Sequence, residues 1–301
     1  MKIWPIIRAA YNAARDKRYR DYYLQRRVQN IAAREKRAER LVRRLPPADL
    51  IAGDEAAALA SDGYVPLPDL LSADEVRAMR DHFAAHLCSD PYRPHLGNFP
   101  APAGAPGETH VAVFSNEAVA AAPFAFKAAN DPRVLAALGH VFGAKPTIGY
   151  IAAWWSLPGH EAPEHAEFFH RDYDDYRSAK LFLYLTDVDH LSGPHSFVPG
   201  SHKREMLVER SFGRRYSEQE VSAHYPAQDM LVLTGPAGTA LLESTFGLHR
   251  ATPPLSKPRL LFQVLYTLRP NLGGPRRPLR ASQSIQDGVP LDPWVNRSFL
   301  T

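Results

Sequence analysis

From about residue 146 onward the chain breaks into short β-prone runs divided by Pro- and Gly-containing turns, and this texture limits the fold more than anything else. The runs are Thr147–Trp155, Lys180–Thr186, His195–Val198, Met230–Leu233, Thr239–Leu242 and Arg259–Leu268. Strands this short, at this spacing, predict a sandwich or jelly roll and argue against a parallel α/β sheet. The 27 prolines fit the same picture, because proline favours loops, edges and turns over helix interiors.

Ahead of the β region the pattern is helical. Asp54 to Ala60 reads as a helix turning into a short strand at Gly63–Leu67. Ser72 with Glu75 three residues on forms a capping box, which opens a helix to about Leu87. Residues 89–110 are rich in Pro, Gly and Asn and form a long loop of the kind that borders binding sites. A second helical stretch, 116–142, is interrupted at Pro123 and Pro132.

Residues 1–45 differ from everything that follows. They hold no glycine, proline only at Pro5, and apolar residues at helical spacing: Ile3, Ile7, Tyr11 and Ala14, then Leu24, Val28 and Ile31. Their 14 Lys and Arg face four acids, a net +10 that leaves −6 for the rest of a chain whose total is +4. The expectation is a basic helical extension, 1–45, ahead of a single domain at 46–301 with its β core at about 146–270. Such an extension either packs one face on the body or offers a basic surface to an anionic membrane or another polyanion. Nucleic acid is the weaker expectation, since no recognised binding motif accompanies the charge.

Several classes fall away. With 45% hydrophobic residues the chain can bury a core and is not a disordered polymer. Cys88 is the single cysteine, so no intrachain disulfide forms. No stretch reaches the roughly 18–20 apolar residues of a membrane span, and the N-terminus lacks the core of a signal peptide. The expected location is cytoplasmic, with peripheral membrane association through residues 1–45.

The chemistry centres on Phe168-Phe169-His170-Arg171-Asp172. In extended backbone, residues i and i+2 point to one side, so His170 and Asp172 can reach the same metal ion, with Arg171 pointing away. With a distant histidine they make a facial triad of two imidazoles and one carboxylate, which leaves open positions on Fe(II) for a chelating cosubstrate and O2. His-x-Asp alone is a weak signal in a chain with 13 histidines and 32 acids. Its setting strengthens it. Downstream lie Ser192-Gly-Pro-His-Ser-Phe-Val-Pro-Gly-Ser-His-Lys203, then Pro236-Ala-Gly-Thr-Ala-Leu-Leu-Glu243, His249-Arg250, and Arg259 ten residues past His249.

In these motifs, taken in order over about 146–270, the chain resembles the phytanoyl-CoA dioxygenase family of Fe(II)- and 2-oxoglutarate-dependent oxygenases. The resemblance implies a double-stranded β-helix (jelly roll, cupin-like) with flanking helices. It makes His170, Asp172 and His249 the iron ligands and Arg259 the partner of the distal carboxylate of 2-oxoglutarate, a role suited to a planar guanidinium. Many members place Ser or Thr two residues after the distal histidine; here Ala251 stands there, and Thr252 is the expected substitute. Tyr184 is expected in the cosubstrate cavity, with Lys180 on the same strand face, and Trp154, Trp155, Phe168 and Arg171 around the substrate. The implied activity is a dioxygenase that releases succinate and CO2, with ascorbate as reductant in vitro. Because Asp172 is present, the implied outcome is hydroxylation of a small-molecule, lipid-linked or natural-product substrate, and not halogenation. Desaturation, ring closure and epimerisation stay open. The competing readings are a catalytically inactive β-helix protein docked on membrane and an oxidative demethylase of nucleic acid.

Overall fold

The computed structural model describes residues 12, 14–48, 53–205, 207, 213–279 and 290–300. Of the N-terminal apolar pattern, Ile3, Ile7 and Tyr11 lie outside the described residues. Helix α1 (Lys17–Arg26) starts at Asp16, which accepts from the Arg18 amide, and α2 (Ile31–Val42) starts at Asn30, which accepts from the Ala33 amide. Helix α3 (Asp54–Ser61) leads into strand β1 (Tyr64–Pro66), and α4 (Ala73–Ala84) begins with both bonds of the Ser72–Glu75 capping box. The expected long loop carries β2 (Cys88–Ser89) and β3 (Asn98–Phe99) before β4 (Val111–Phe114). The interrupted helical stretch is three helices: α5 (Asn116–Ala120), α6 (Ala125–Ala129) and α7 (Pro132–Phe142). Pro132 sits at the start of α7, where its missing N–H costs nothing.

The β region follows as β5 (Thr147–Ser156), β6 (Ser178–Tyr184), β7 (His195–Phe197), the short helix α8 (Glu218–Ser222), β8 (Leu231–Leu233), β9 (Ala240–Glu243), β10 (His249–Ala251) and β11 (Arg259–Thr267), with α9 (Pro293–Asn296) near the end. They form an eight-stranded sheet in the order β1-β9-β6-β11-β5-β4-β2-β3 and a three-stranded sheet in the order β10-β7-β8. Every pairing within the two sheets is antiparallel. Two antiparallel sheets with non-sequential neighbours make the mainly β, double-stranded β-helix architecture with helices packed outside.

Alternation along the large sheet divides it into two faces. On one face Ile151, Ala153 and Trp155 of β5, Leu181 and Leu183 of β6, and Leu260, Phe262 and Val264 of β11 join the main core, together with Leu59 of α3, Phe83 of α4 and Leu138 of α7. On the other face Tyr150, Ala152 and Trp154, Lys180 and Phe182, and Arg259, Leu261 and Gln263 line a cavity. Register locks this assignment, because Leu260 pairs with Trp155 and Leu261 with Trp154. Trp155 is therefore not a substrate-pocket residue; it is a core residue, 7% exposed. Its neighbour Trp154 takes the cavity wall. A one-residue slip would exchange every such pair.

The two tryptophans should separate experimentally. Trp155→Ala is expected to destabilise by about 3–5 kcal/mol, as for other large core aromatics, and Trp154→Ala by clearly less, measured by urea unfolding. Equal losses would contradict the face assignment.

Candidate metal centre and its cavity

His170, Asp172 and His249 each offer a ligand atom, and these atoms all lie within 4.8 Å of one another. The segment around His170 is not a regular strand, as the sequence pattern predicts, but an extended stretch held by isolated bridges, Phe169 to Tyr216 and His170 to His249. The His170 amide donates to the His249 carbonyl at 2.9 Å, and the His249 amide returns the bond at 3.1 Å. Two residues on, the Asp172 amide donates to Thr245 O at 2.8 Å. The two imidazoles are thus brought together by a direct backbone pair across 79 positions of sequence.

Each imidazole is oriented from behind. His170 Nδ1 bonds the Phe168 carbonyl at 2.9 Å and His249 Nδ1 bonds the Gly247 carbonyl at 3.0 Å. A carbonyl only accepts, so both Nδ1 atoms carry a hydrogen, which leaves each Nε2 as the atom available to a metal. Burial holds the His170 pKa well below its ordinary value, with the charge of Arg215 and the neighbouring His249 acting in the same direction, so the ring is neutral. His170 Nε2 lies 3.5 Å from Asp172 Oδ1, and His249 Nε2 lies 3.3 Å from Asp172 Oδ2. Two imidazole nitrogens and one carboxylate oxygen, ringed around one point and backed by carbonyls, suit a divalent first-row metal such as Fe(II).

Lys180 completes the electrostatics. Its Nζ lies 2.5 Å from Asp172 Oδ2 and 3.3 Å from Asp174 Oδ2. Burial disfavours the Asp172 carboxylate, but the charge of Lys180 outweighs it and holds its pKa well below the usual range. Asp174 goes the other way: burial and the charge of Asp172 raise its pKa despite Lys180. A further pair stands beside the triad, His195 Nε2 at 2.7 Å from Glu243 Oε2. Burial pulls His195 down to about 3 and pushes Glu243 up to about 8, so at neutral pH the carboxyl donates to a neutral ring.

The cavity measures about 350 Å³ and runs from the triad to Arg259 at one end. Arg259 is fully buried. Its Nη1 donates to the Gly193 carbonyl, its Nη2 donates to Ser156 Oγ at 3.1 Å, and its Nε has no partner. Among the described residues no carboxylate forms an ion pair with it. A fully buried guanidinium with a spare donor is costly unless an anion joins it. Gly193, at φ +69°, packs closely on the backbone of residues 252–254, where a Cβ would sit 2.3 Å from the Thr252 carbonyl.

The other expected residues divide. Thr252 lines the cavity, with Oγ1 3.1 Å from Ser196 Oγ. Tyr184 does not line it. Its hydroxyl donates to Leu233 O at 2.9 Å and accepts from the His195 amide at 2.9 Å, and its ring lies 5.9 Å from the Arg259 guanidinium carbon. It supports Arg259 from below. Phe168 also stays off the cavity, facing a shallow groove with Tyr216 and Pro253 on the outside. Arg171 points away from the triad, as alternation requires, but reaches no rim. It is 5% exposed and donates to the carbonyls of Ser201, Arg204, Leu207 and Phe246 at 2.7–3.2 Å, stapling two loops. The motif reading left out Tyr150, Gln263, His110, Glu167 and Arg215, all of which line the cavity. The first two follow from strand parity; the last three come from loops and a 3-10 turn that carry no sequence signal for the site.

The model of the phytanoyl-CoA dioxygenase family matches residues 59–258. The chain belongs to this family, whose members are iron- and 2-oxoglutarate-dependent oxygenases. The match includes the triad and stops one residue short of Arg259; α1 and α2 lie outside it. Among solved structures, EctD from S. alaskensis with 2-oxoglutarate and 5-hydroxyectoine is 21% identical, covering 74% of this chain and 82% of that one with a TM-score of 0.52. EctD with bound Fe is likewise 21% identical, covering 74% and 83%, with a TM-score of 0.50. These likenesses support the fold. No curated protein matches the chain.

His202, in the Pro-Gly-Ser-His turn, is structural in this family member. It packs against Gly63, where a Cβ would lie 2.5 Å from His202 Nδ1, and burial lowers its pKa from 6.5 to about 4. The folded protein therefore keeps His202 neutral where the unfolded chain protonates it. Its contribution is complete above pH 6.5 and is lost as pH falls toward 4, by up to about 1.4 kcal/mol per pH unit. His202→Gln should flatten that part of the stability profile in urea unfolding between pH 6.5 and 4; an unaltered slope would refute the assignment.

Proposed function

We propose that the protein is an Fe(II)- and 2-oxoglutarate-dependent dioxygenase that hydroxylates a polar small molecule. The observation that carries this is one cavity with a two-imidazole, one-carboxylate cluster in its wall and a fully buried guanidinium with an unused Nε donor at its end. His170, Asp172 and His249 would hold the iron, and Arg259 with Thr252 would hold the distal carboxylate of 2-oxoglutarate. When bound, the iron and 2-oxoglutarate supply the activation of O2, with succinate and CO2 released. The protein's own work is positioning. The carbonyls of Phe168 and Gly247 fix the imidazole tautomers, and Lys180 keeps Asp172 ionised as a ligand. Phe182, Leu261 and Trp154 cover the inner wall with apolar surface, which limits water near the reacting centre.

The wall opposite the large sheet favours a polar substrate over a lipid tail. Glu167 accepts from or donates to His110 Nδ1 at 2.9 Å, Glu164 meets Arg93 at 2.7 Å, and Tyr92 stacks on His165 at 3.6 Å. Arg215 lines the same cavity with no ion-pair partner among the described residues. A hydrogen-bonding substrate, especially one with a carboxylate or phosphate, suits this lining better than an alkyl chain. No helix among the described residues is long and apolar enough to cross a membrane.

A succinate-release assay with Fe(II), 2-oxoglutarate, O2 and ascorbate, over a panel of polar and lipid-linked compounds, tests this reading. Turnover is expected with a polar compound and should vanish in His170→Ala and in Asp172→Ala with the fold intact. Full turnover in both variants would sink the triad. Arg259→Ala is expected to raise the 2-oxoglutarate KM by about 10-fold or more, because it removes a charge-assisted bidentate contact. A KM equal to wild type would reject that role.

A further inference from the structure

The basic extension is expected either to pack on the body or to meet a polyanion, and α1 and α2 show a specific use for two of its side chains. Gln25 is fully buried, and its Nε2 donates to the Tyr173 carbonyl. Its Oε1 accepts from Arg34 Nη2 at 3.1 Å. Arg34, 2% exposed, donates from the same Nη2 to the Asp175 carbonyl at 2.5 Å and from Nη1 to Val28 O at 2.9 Å. Its guanidinium sits 4.7 Å from the Phe246 ring and 5.3 Å from that of Tyr173. Tyr173 and Asp175 are the first and third residues after Asp172. On the far side the same segment is tied by the Asp172 amide to Thr245 O, and Lys180 joins Asp172 to Asp174.

We propose that Arg34 and Gln25 are positioning residues for the metal centre: by holding the backbone of residues 173–175 they set the Asp172 carboxylate. The proposal rests on the reading of the triad as a metal site. As general adhesive, Arg34 is a poor choice. A buried charge with only carbonyls and rings as partners carries a desolvation cost that an apolar side chain of similar size avoids. What the fork adds is direction, since it fixes the carbonyl of Asp175 relative to Gln25 and Val28. Groups that orient a ligand from outside commonly change metal affinity by about 10–100-fold when removed. Both residues lie outside the segment matched by the family model, 59–258, so this support belongs to the chain's own extension.

The test is Co(II) binding to the full chain without 2-oxoglutarate, followed by visible absorption, alongside hydrogen exchange of residues 172–176 in the metal-free protein. Arg34→Met and Gln25→Met are expected to fold, to bind Co(II) about 10–100-fold more weakly, and to exchange faster at 172–176. Glu35→Ala, on the same helix as Arg34, removes the 2.7 Å pair with Arg177; it is the control and should change neither. Should Arg34→Met fail to fold, Arg34→Lys, which keeps the charge and loses the fork, carries the same test. Folded variants with wild-type Co(II) affinity and wild-type exchange overturn the proposal. Faster exchange with unchanged affinity also overturns it, since the helices then hold the loop without setting the ligand. If wild type itself binds no Co(II), the metal reading fails first and the proposal falls with it.

Discussion

The backbone pair between His170 and His249 is the constraint on which the rest depends. Neither histidine belongs to a long strand, yet each donates its amide to the other's carbonyl. That exchange brings two side chains from distant parts of the chain to one point. The carbonyls of Phe168 and Gly247 then turn both rings so that Nε2 faces inward. Because the same short segment carries Asp172, fixing His170 also brings in the carboxylate, and the cavity needs only to be walled and closed. The jelly roll does that with the inner face of its larger sheet.

The second organising theme is how four buried cations are accommodated. Lys180 is neutralised by Asp172 and Asp174. Arg171 and Arg34 spread their charge over loop carbonyls and aromatic rings. Arg259 alone of these four has a buried nitrogen left over in a cavity wall. The same side-chain type is therefore fully engaged by loop carbonyls at Arg171 and left with an unused donor in the cavity wall at Arg259. Desolvation cost explains the difference: a buried guanidinium whose donors are not all used internally is stabilised by an incoming anion.

Much of this was legible in the chain itself. The β runs match the observed strands closely, because alternation and turn residues act locally. The order His-x-Asp, Gly-Pro…Pro-Gly-Ser-His, distal His and Arg was enough to nominate the three triad residues. Parity along β6 also placed Lys180 on the cavity side, a consequence of pleating alone. Trp155 shows the limit of such reading. Two adjacent tryptophans look alike in sequence, and only the pairing of Trp155 with Leu260 puts it in the core. Phe168 and Arg171 misled for a related reason: closeness in sequence to a ligand says little about which way an irregular loop turns its side chains. Tyr184 misled differently, since it shares the Lys180 face of β6 but stands at the end of that strand, beneath Arg259 and off the cavity.

The sequence by itself determined the strand alphabet, the ligand types and the basic character of the first helices, because these depend on residue chemistry and on spacing within a few positions. Tertiary structure alone decided which tryptophan walls the cavity, and that Tyr184 supports Arg259 without reaching the cavity. It also decided that Gln25 and Arg34, far from the triad in sequence, grip the backbone beside Asp172. Such facts depend on register and on contacts between segments more than 100 residues apart, as with the 141 positions between Arg34 and Asp175. No local pattern encodes them, since they arise only when separate elements compete for the same buried space.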